Sequence, residues 1–577
     1  MRAHAVTQRI MGASLILLLV GSQALARQQI EIEGRLGDEL SARLQNLVTE
    51  AHSADSNAAR VTSSPAAVRQ LTASLRSEGY YGASVTPTLR DGQALYIIRT
   101  GDRFTVGEFR VNTEPAQSAA TDLATSSAEL SRGDPLQAEA ILAAEARSLS
   151  ALQEAGWPEA ELNERQVLVD HEVSQGEVSF NIATGTFSRY GEVVLDDDRW
   201  RSSLVSRLDT TQRGDVIALS ELRQFQNRLA GLESVARARI VLGEPDPGTD
   251  ERALQLALTP APRHVLEAGI HLSTGDGGGI DGRWIRRNAF GGDETLNVTA
   301  QLATLERSVT SRLTVPHFRR LDQTLALSAR LTNDETDAFN QQEAALEASL
   351  DRQLSPAWSG AVILGLDVSR LDQNGAERDT QSASAAIAAT FDNRDSTTDP
   401  KSGSRLTARV TPVLTQGDIE SGYVIAEASL RSYQKLGDHA VLAGRVRAGD
   451  ILGASLNGVP ADQRFYAGGG GSVRGFEYQA LSPRSGTGSL IGGRSVIEAS
   501  AELRWRVRDR WGVVAFADTG LAFDDTAPDL SDLRTGVGVG VRYHFDFAPL
   551  RLDIAAPVDR RSDEASLHVY IGLGQAF

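Results

Sequence analysis

The residue best equipped for chemistry is Arg474, set in Gly468-Gly-Gly-Gly-Ser472-Val473-Arg474-Gly475-Phe476 and preceded by Phe465-Tyr466-Ala467. A guanidinium stays charged at any physiological pH and presents a rigid fork of donors, so it needs an acceptor wherever it is held. The glycines beside it permit a tight reversal of the backbone. This is non-covalent chemistry, a cation carried on a folded-back loop. Covalent and metal chemistry find no support in the same sequence. The nine histidines are scattered, with no His-Glu-x-x-His, and there is no cysteine. Disulfides, thiol redox steps and thiolate zinc sites are thereby excluded. Gly275-Asp-Gly-Gly-Gly279 lacks the Gly-Lys-Ser/Thr of a nucleotide cradle, and no Gly-x-Ser-x-Gly elbow occurs. No catalytic residue, metal ligand or cofactor is expected.

A loop of this kind must be positioned by strands, and the sequence supplies them. From His264 onward short alternating runs are separated by Gly/Asp/Asn turns, at about twenty residues per strand and loop. They number about sixteen, an even count as in single-chain bacterial barrels. Clear cases are 324–331, 404–410, 441–448 and 534–545. In 441–448, Leu442, Gly444 and Val446 face one way and Arg445 and Arg447 the other. Arginine facing a watery lumen is tolerable, whereas on a lipid face it costs roughly 2–4 kcal/mol at mid-depth. The last run sets Leu567, Val569, Ile571, Leu573 and Phe577 against Ser566, His568, Tyr570, Gly572 and Gly574. It reads as the closing strand of a transmembrane barrel. Gly572 and Gly574, on its inward face, either weaken the seam with the first strand as a lateral gate or simply relieve crowding.

Composition agrees with this reading. The 577 residues are 41% hydrophobic, and no run of eighteen apolar residues follows the N-terminus, so a helical membrane protein is not expected. The net charge of −17 argues against nucleic acid as a partner. Arg2 and Arg9, the apolar stretch Ile16 to Val20, and Ala24-Leu25-Ala26 form a signal peptide over residues 1–26. Counting strands from the export side puts Phe577 at the periplasmic end. It also puts the longest loop, 455–494, outside the cell after the eleventh strand.

The N-terminal half carries an internal repeat. Three times a helical run ends at a glycine, Gly79, Gly156 and Gly231, and re-enters a strand. Two units open with related strands, Phe104-Thr-Val-Gly107-Glu108 and Phe187-Ser-Arg-Tyr-Gly191-Glu192, each followed by a Gly-Asp helix start at Gly133-Asp134 and Gly214-Asp215. A unit of strand, helix, helix, strand, strand is a small α+β domain. Three are placed at 27–102, 103–184 and 185–262, with the barrel at 263–577. The first is the most divergent, with a polar Ser/Ala-rich stretch from Ala51 to Ala67. The arrangement resembles the POTRA domains of the outer-membrane assembly superfamily.

The loop motif strengthens that resemblance. Val473-Arg474-Gly475-Phe476, in the loop after an eleventh strand, is similar to the signature of this POTRA-plus-barrel superfamily (BamA, TamA and FhaC-like), in which the loop folds back into the lumen. Phe516-Ala-Asp518 in the thirteenth strand matches the partner motif, and the resemblance implies that Asp518, with Phe516 on the same face, holds Arg474. Glu498 on the twelfth strand is a second acidic candidate. Asp392-Asn-Arg394-Asp395, with Pro400 and Gly403, resembles the family's periplasmic turn between strands eight and nine.

Within the superfamily, three POTRA domains resemble the TamA branch. That implies an outer-membrane translocation and assembly factor for autotransporter-type and other β-barrel clients. Clients would be captured by POTRA edges and released through a gate between strands one and sixteen. The implied partners are unfolded outer-membrane proteins, the lipid bilayer and a TamB-like inner-membrane-anchored protein. A two-partner secretion transporter, a general BamA-like insertase and a passive pore are the alternatives.

Overall fold

The structure, a computed structural model, describes residues 29–53, 65–90, 93–195, 197–273, 277–526, 528–545, 549–562, 564–573 and 575. The expected signal peptide, Gly574 and Phe577 lie outside the described residues. The chain divides into two compact units. One holds the first two α+β domains and part of the third, and the other holds the rest of the third and the barrel.

The first domain runs β1 (Gln29–Glu33), α1 (Asp38–Ser53), α2 (Pro65–Ser77), β2 (Ser84–Arg90), β3 (Gln93–Arg99). The second runs β4 (Thr105–Glu114), α3 (Ser118–Ser127), α4 (Ala138–Glu154), β5 (Glu161–Asp170), β6 (Gln175–Ala183). The third runs β7 (Arg189–Leu195), α5 (Ser202–Leu208), α6 (Leu219–Ala230), β8 (Val235–Pro245), β9 (Glu251–Pro260). Each makes a three-stranded sheet with its last strand at the centre: β1-β3-β2, β4-β6-β5 and β7-β9-β8. In the second domain α4 buries Ile141, Ala144, Ser148 and Leu152 along one stripe. Gly176, Val178, Phe180 and Ile182 of β6 meet the helices at period two.

The repeat is visible in the backbone. Phe104 N donates to Gly79 O at 2.9 Å, and Ser188 N donates to Gly156 O at 2.8 Å. The helix-ending turn of each of the first two domains thus receives the strand that opens the next. Gly79 and Gly156 both hold positive φ there (93° and 102°), and a Cβ on Gly156 would stand 2.4 Å from the Phe187 ring. Gly231 departs from this pattern, and the pairing of Phe104 with Phe187 expected from sequence needs correction. Gly231 lacks a positive φ, and its N–H continues the helical pattern to Asn227 O at 2.9 Å. Ser188, not Phe187, takes the place of Phe104, while Phe187 packs edge-on against Trp157 at 5.2 Å.

Glu78, just before the first of these joints, receives Arg43, Gln137 at 2.8 Å and, more distantly, Arg103 at 3.8 Å. The hydrogen bond from Arg43 holds its carboxyl below the usual range against the opposing effect of burial. A depressed carboxylate contributes stability above its unfolded pKa and loses it as pH falls through the folded value. Glu78→Gln is therefore expected to lower the melting midpoint of the N-terminal domains by about 1–2 °C at pH 7. The difference from wild type should shrink in a calorimetric pH series once pH falls below the ordinary glutamate value of about 4.3, and it should be gone once pH has passed through the lowered folded-state value.

Sixteen antiparallel strands close the barrel. The first eight are β10 (His264–Ser273), β11 (Gly277–Arg286), β12 (Thr295–Ala303), β13 (Glu306–Val315), β14 (Gln323–Glu335), β15 (Asn340–Gln353), β16 (Trp358–Gln373) and β17 (Ala376–Asp392). The last eight are β18 (Gly403–Gly417), β19 (Ser421–Leu436), β20 (Ala440–Leu452), β21 (Ser495–Arg506), β22 (Trp511–Phe523), β23 (Arg534–His544), β24 (Pro549–Pro557) and β25 (His568–Leu573). Outward apolar residues alternate with inward polar ones, as with Val362, Leu364, Leu366 and Val368 of β16. Tryptophans gather at the end where β10 starts. Trp358 pairs with Phe391 and Trp511 with Tyr543, at centroid distances of 5.2 and 5.0 Å, with Trp284 and Trp505 at the same level. Such a belt marks a membrane–water interface.

The seam is the weak joint. β10 pairs with β11 along its whole length, but among the described residues it meets β25 at Leu272–Ile571 and Ser273–Tyr570 alone. A Cβ on Gly572 would stand 3.2 Å from Arg551 Nε.

Candidate functional site

The loop between β20 and β21 turns inward and packs in the lumen. Val473, Phe476, Phe465 and Leu481 join Ile451, Val496 and Ala522 of the wall in one buried cluster. Gly468, Gly469 and Gly475 take positive φ (107°, 98° and 98°), which allows the reversals.

Arg474 is 2% exposed. Its Nε and Nη2 donate to the two Asp518 oxygens at 2.7 and 3.0 Å, and its backbone N–H donates to Asp518 at 3.1 Å. This is a bidentate grip with a third bond from the main chain. Nη1 donates to Asp553 at 3.2 Å and lies 2.8 Å from Glu502. The guanidinium carbon stands 3.5 Å from the centroid of the Phe516 ring, so Phe516 and Asp518 act from one face of β22.

Sequence reasoning missed the rest of the cluster. Arg504 donates to Glu502 at 2.8 Å, and Arg542 binds Asp553 through two nitrogens. Among the described residues these three arginines face three carboxylates in a site closed to water, with a fourth guanidinium, Arg551, within electrostatic reach.

Glu498 does not serve Arg474, a correction to the second acceptor expected from sequence. It receives Arg445 at 3.0 Å and Ser472 Oγ at 2.6 Å, and Arg445 also donates to the carbonyls of Gly471 and Ser472. Pairing of β20 with β21 sets Glu498 opposite Arg447. It sits two pleat repeats away from the Glu502 that Arg474 reaches. The loop therefore has two clasps, one for its backbone at residues 471–472 and one for Arg474.

Glycines on β23 make the room. A Cβ on Gly536 would stand 1.9 Å from Arg474 O, one on Gly538 would stand 2.3 Å from the Phe516 ring, and one on Gly540 would stand 1.9 Å from Asp553 Oδ1. Their period of two puts all three on the inward face, a pattern the sequence offers at Gly536-Val-Gly538-Val-Gly540.

The motif also grips the closing strand. Gly475 N donates to Tyr570 Oη at 3.1 Å, and Tyr570 Oη donates to Phe476 O at 3.3 Å. Beyond β25, Gln575 accepts from Arg542 at 3.2 Å and donates to Asp399 at 2.9 Å. A chain of polar contacts thus runs from Arg474 through Asp553, Arg542 and Gln575 to the turn between β17 and β18. In that turn Arg394 binds Asp392 at 2.8 and 2.9 Å, Asp395 accepts from Lys401 N at 2.9 Å, and Asn393 accepts from Ser404 N at 2.7 Å. Asp392, Arg394 and Asp395 shape the turn and do not touch the loop motif.

A closed sixteen-stranded barrel with an inward loop, an aromatic belt and preceding α+β repeats defines an outer-membrane β-barrel protein with periplasmic POTRA domains. The chain belongs to the Omp85 superfamily, whose domain matches residues 288–577. Among curated relatives, the outer membrane protein assembly factor BamA of Nitratidesulfovibrio vulgaris is 25% identical over 405 residues, covering 67% of this chain and 51% of that protein. The chain thus spans about half the length of that relative. Among solved structures, Haemophilus ducreyi BamA lacking POTRA domains 1–3 shares the fold, with a TM-score of 0.70 at 15% identity. The match covers 82% of this chain and all of that one. CdiB from Acinetobacter baumannii aligns with a TM-score of 0.48 at 13% identity, over 94% of this chain and all of that one.

Proposed function

We propose that this protein assembles other β-barrel proteins, autotransporter-type clients among them, into the outer membrane by parting its β10–β25 seam. The observation that carries the reading is the pairing of a short seam with a lock that holds its closing strand through Tyr570. In lipid an unpaired backbone group costs several kcal/mol, so an opened seam favours an incoming strand, which adds by β-augmentation. The edge strand β5, with Leu168 exposed, suits capture of extended clients. Three α+β domains before the barrel favour a TamA-like role with a TamB-like inner-membrane-anchored partner. Energy for the process comes from client folding, with no catalytic step.

A general insertase is the second reading, favoured by the likeness to a BamA sequence. Depletion in the native host with quantitative outer-membrane proteomics separates the two. Loss of a few barrels or autotransporters with viability kept supports the TamA-like role. Collapse of nearly all barrels with death supports the general insertase, loss of one secreted protein indicates two-partner secretion, and no change in any client leaves a passive pore.

A further inference from the structure

A cavity of about 630 Å³ opens beside the turn joining β11 to β12, with Arg199, Arg201, Arg263, Arg287, Trp200 and Phe290 in its walls. These walls are firmly tied. Arg201 N donates to Gly291 O and Asn288 Nδ2 donates to Arg199 O, both at 2.7 Å, while Trp200 Nε1 reaches Ser234 Oγ at 2.8 Å. The buried Asp293 carboxylate then accepts from Ser234 N at 2.9 Å and Glu233 N at 3.2 Å.

Four arginines converge here in a chain of net charge −17. Arg199 is matched by Asp197, and Asp198 also faces the cavity. Among the described residues Arg201, Arg263 and Arg287 meet no carboxylate. Arg287 Nη1 donates to Pro262 O at 3.2 Å, while its Nε is buried with no acceptor. A buried donor without an acceptor is costly and calls for a partner such as an ordered water or a bound anion.

Depth within the membrane identifies the ligand's source. Trp284 shares the outward face of Leu266 and lies in the aromatic belt. Arg287 follows it by three residues, about 10 Å along the strand. Strand tilt brings this to about 7–8 Å along the membrane normal, the scale of one interfacial layer, about 5–7 Å. Phe290, 57% exposed, gives the rim an apolar contact.

We propose that this cavity binds the phosphate of an anionic glycerophospholipid headgroup from the periplasmic leaflet. Arg201, Arg263 and Arg287 are its ligands, and they anchor the β11–β12 turn at the membrane surface. The inference rests on the outer-membrane barrel and not on the client role.

The test is native mass spectrometry of the full chain released from detergent with dioleoyl phosphatidylglycerol. Wild type is expected to retain the lipid. R201Q/R263Q/R287Q is expected to bind it about tenfold or more weakly, and R201Q alone, on an exposed side chain, to lose part of that affinity. Heat-modifiable gel mobility verifies that each variant is folded. Equal retention by wild type and both variants would overturn the proposal. So would equal retention of dioleoylglycerol, which has the tails without the phosphate, or displacement of the lipid by millimolar inorganic phosphate, which would mean a free-anion site.

Discussion

Arg474→Ala is expected to leave the protein exported and its barrel folded while the loop leaves the lumen and client assembly falls by at least tenfold. The substitution takes from Asp518 the guanidinium that grips it and from Glu502 and Asp553 one cation each, leaving the buried Asp518 carboxylate uncompensated in a site closed to water. Breaking one partner of a buried ionic set costs roughly 3–5 kcal/mol, equivalent to about a hundredfold or more in the loop's seated-to-released ratio. The Phe516 ring loses its cation as well. Arg474→Lys should fall between, because it keeps the charge but cannot grip Asp518 with two parallel bonds. Asp518→Asn should be milder than Asp518→Ala, since the amide still accepts from one nitrogen. Hydrogen exchange over residues 453–494 reads the seating directly, independent of any client. An Arg474→Ala protein with an unchanged, protected loop would remove the lock from the account.

Gly536→Val should release the loop as completely, with no change of charge. In an isolated strand valine is preferred over glycine, so local propensity predicts a gain. The inward Cβ, however, would stand 1.9 Å from the Arg474 carbonyl oxygen, and the obstacle is backbone that cannot rotate away. The loop must lift, and its bonds to Asp518 and Tyr570 lift with it. Gly282→Ala in β11 is the matched control, because nothing lies within 4 Å of its added Cβ. Exchange protection of the loop is expected to collapse in the first variant and to persist in the second. Comparable behaviour of the two would mean that the glycine row on β23 plays no part in seating the loop.

Much of the fold was legible because barrel strands write their two faces into a period of two. The β20 run that sets Leu442 and Val446 against Arg445 and Arg447 forms with those faces outward and inward. Shorter signals escaped. β1 offers two isoleucines among three polar residues, too few to register as alternation. At the site, a permanent cation in a glycine-rich loop announced a need for an acceptor, but the choice of acceptor depends on register between strands. Glu498 and Glu502 share the inward face of β21 and differ only in depth, which the β20–β21 and β21–β22 pairings decide. Asp553 and Arg542 looked like ordinary lumen polarity. The glycine row 536, 538, 540 was the readable clue that something large comes close to β23.

The central claim is that the β10–β25 seam must part for the protein to act, and a chain without cysteine allows a clean test. Leu272 and Ile571 are direct partners across the seam, at a Cα spacing of about 4.5–5.5 Å that suits a disulfide. With L272C/I571C oxidised, assembly of client barrels in a reconstituted membrane is expected to stop, and reduction of the same sample is expected to restore it. Full client assembly with the disulfide closed would contradict the account, since clients would then be reaching the membrane by a route that leaves the seam intact.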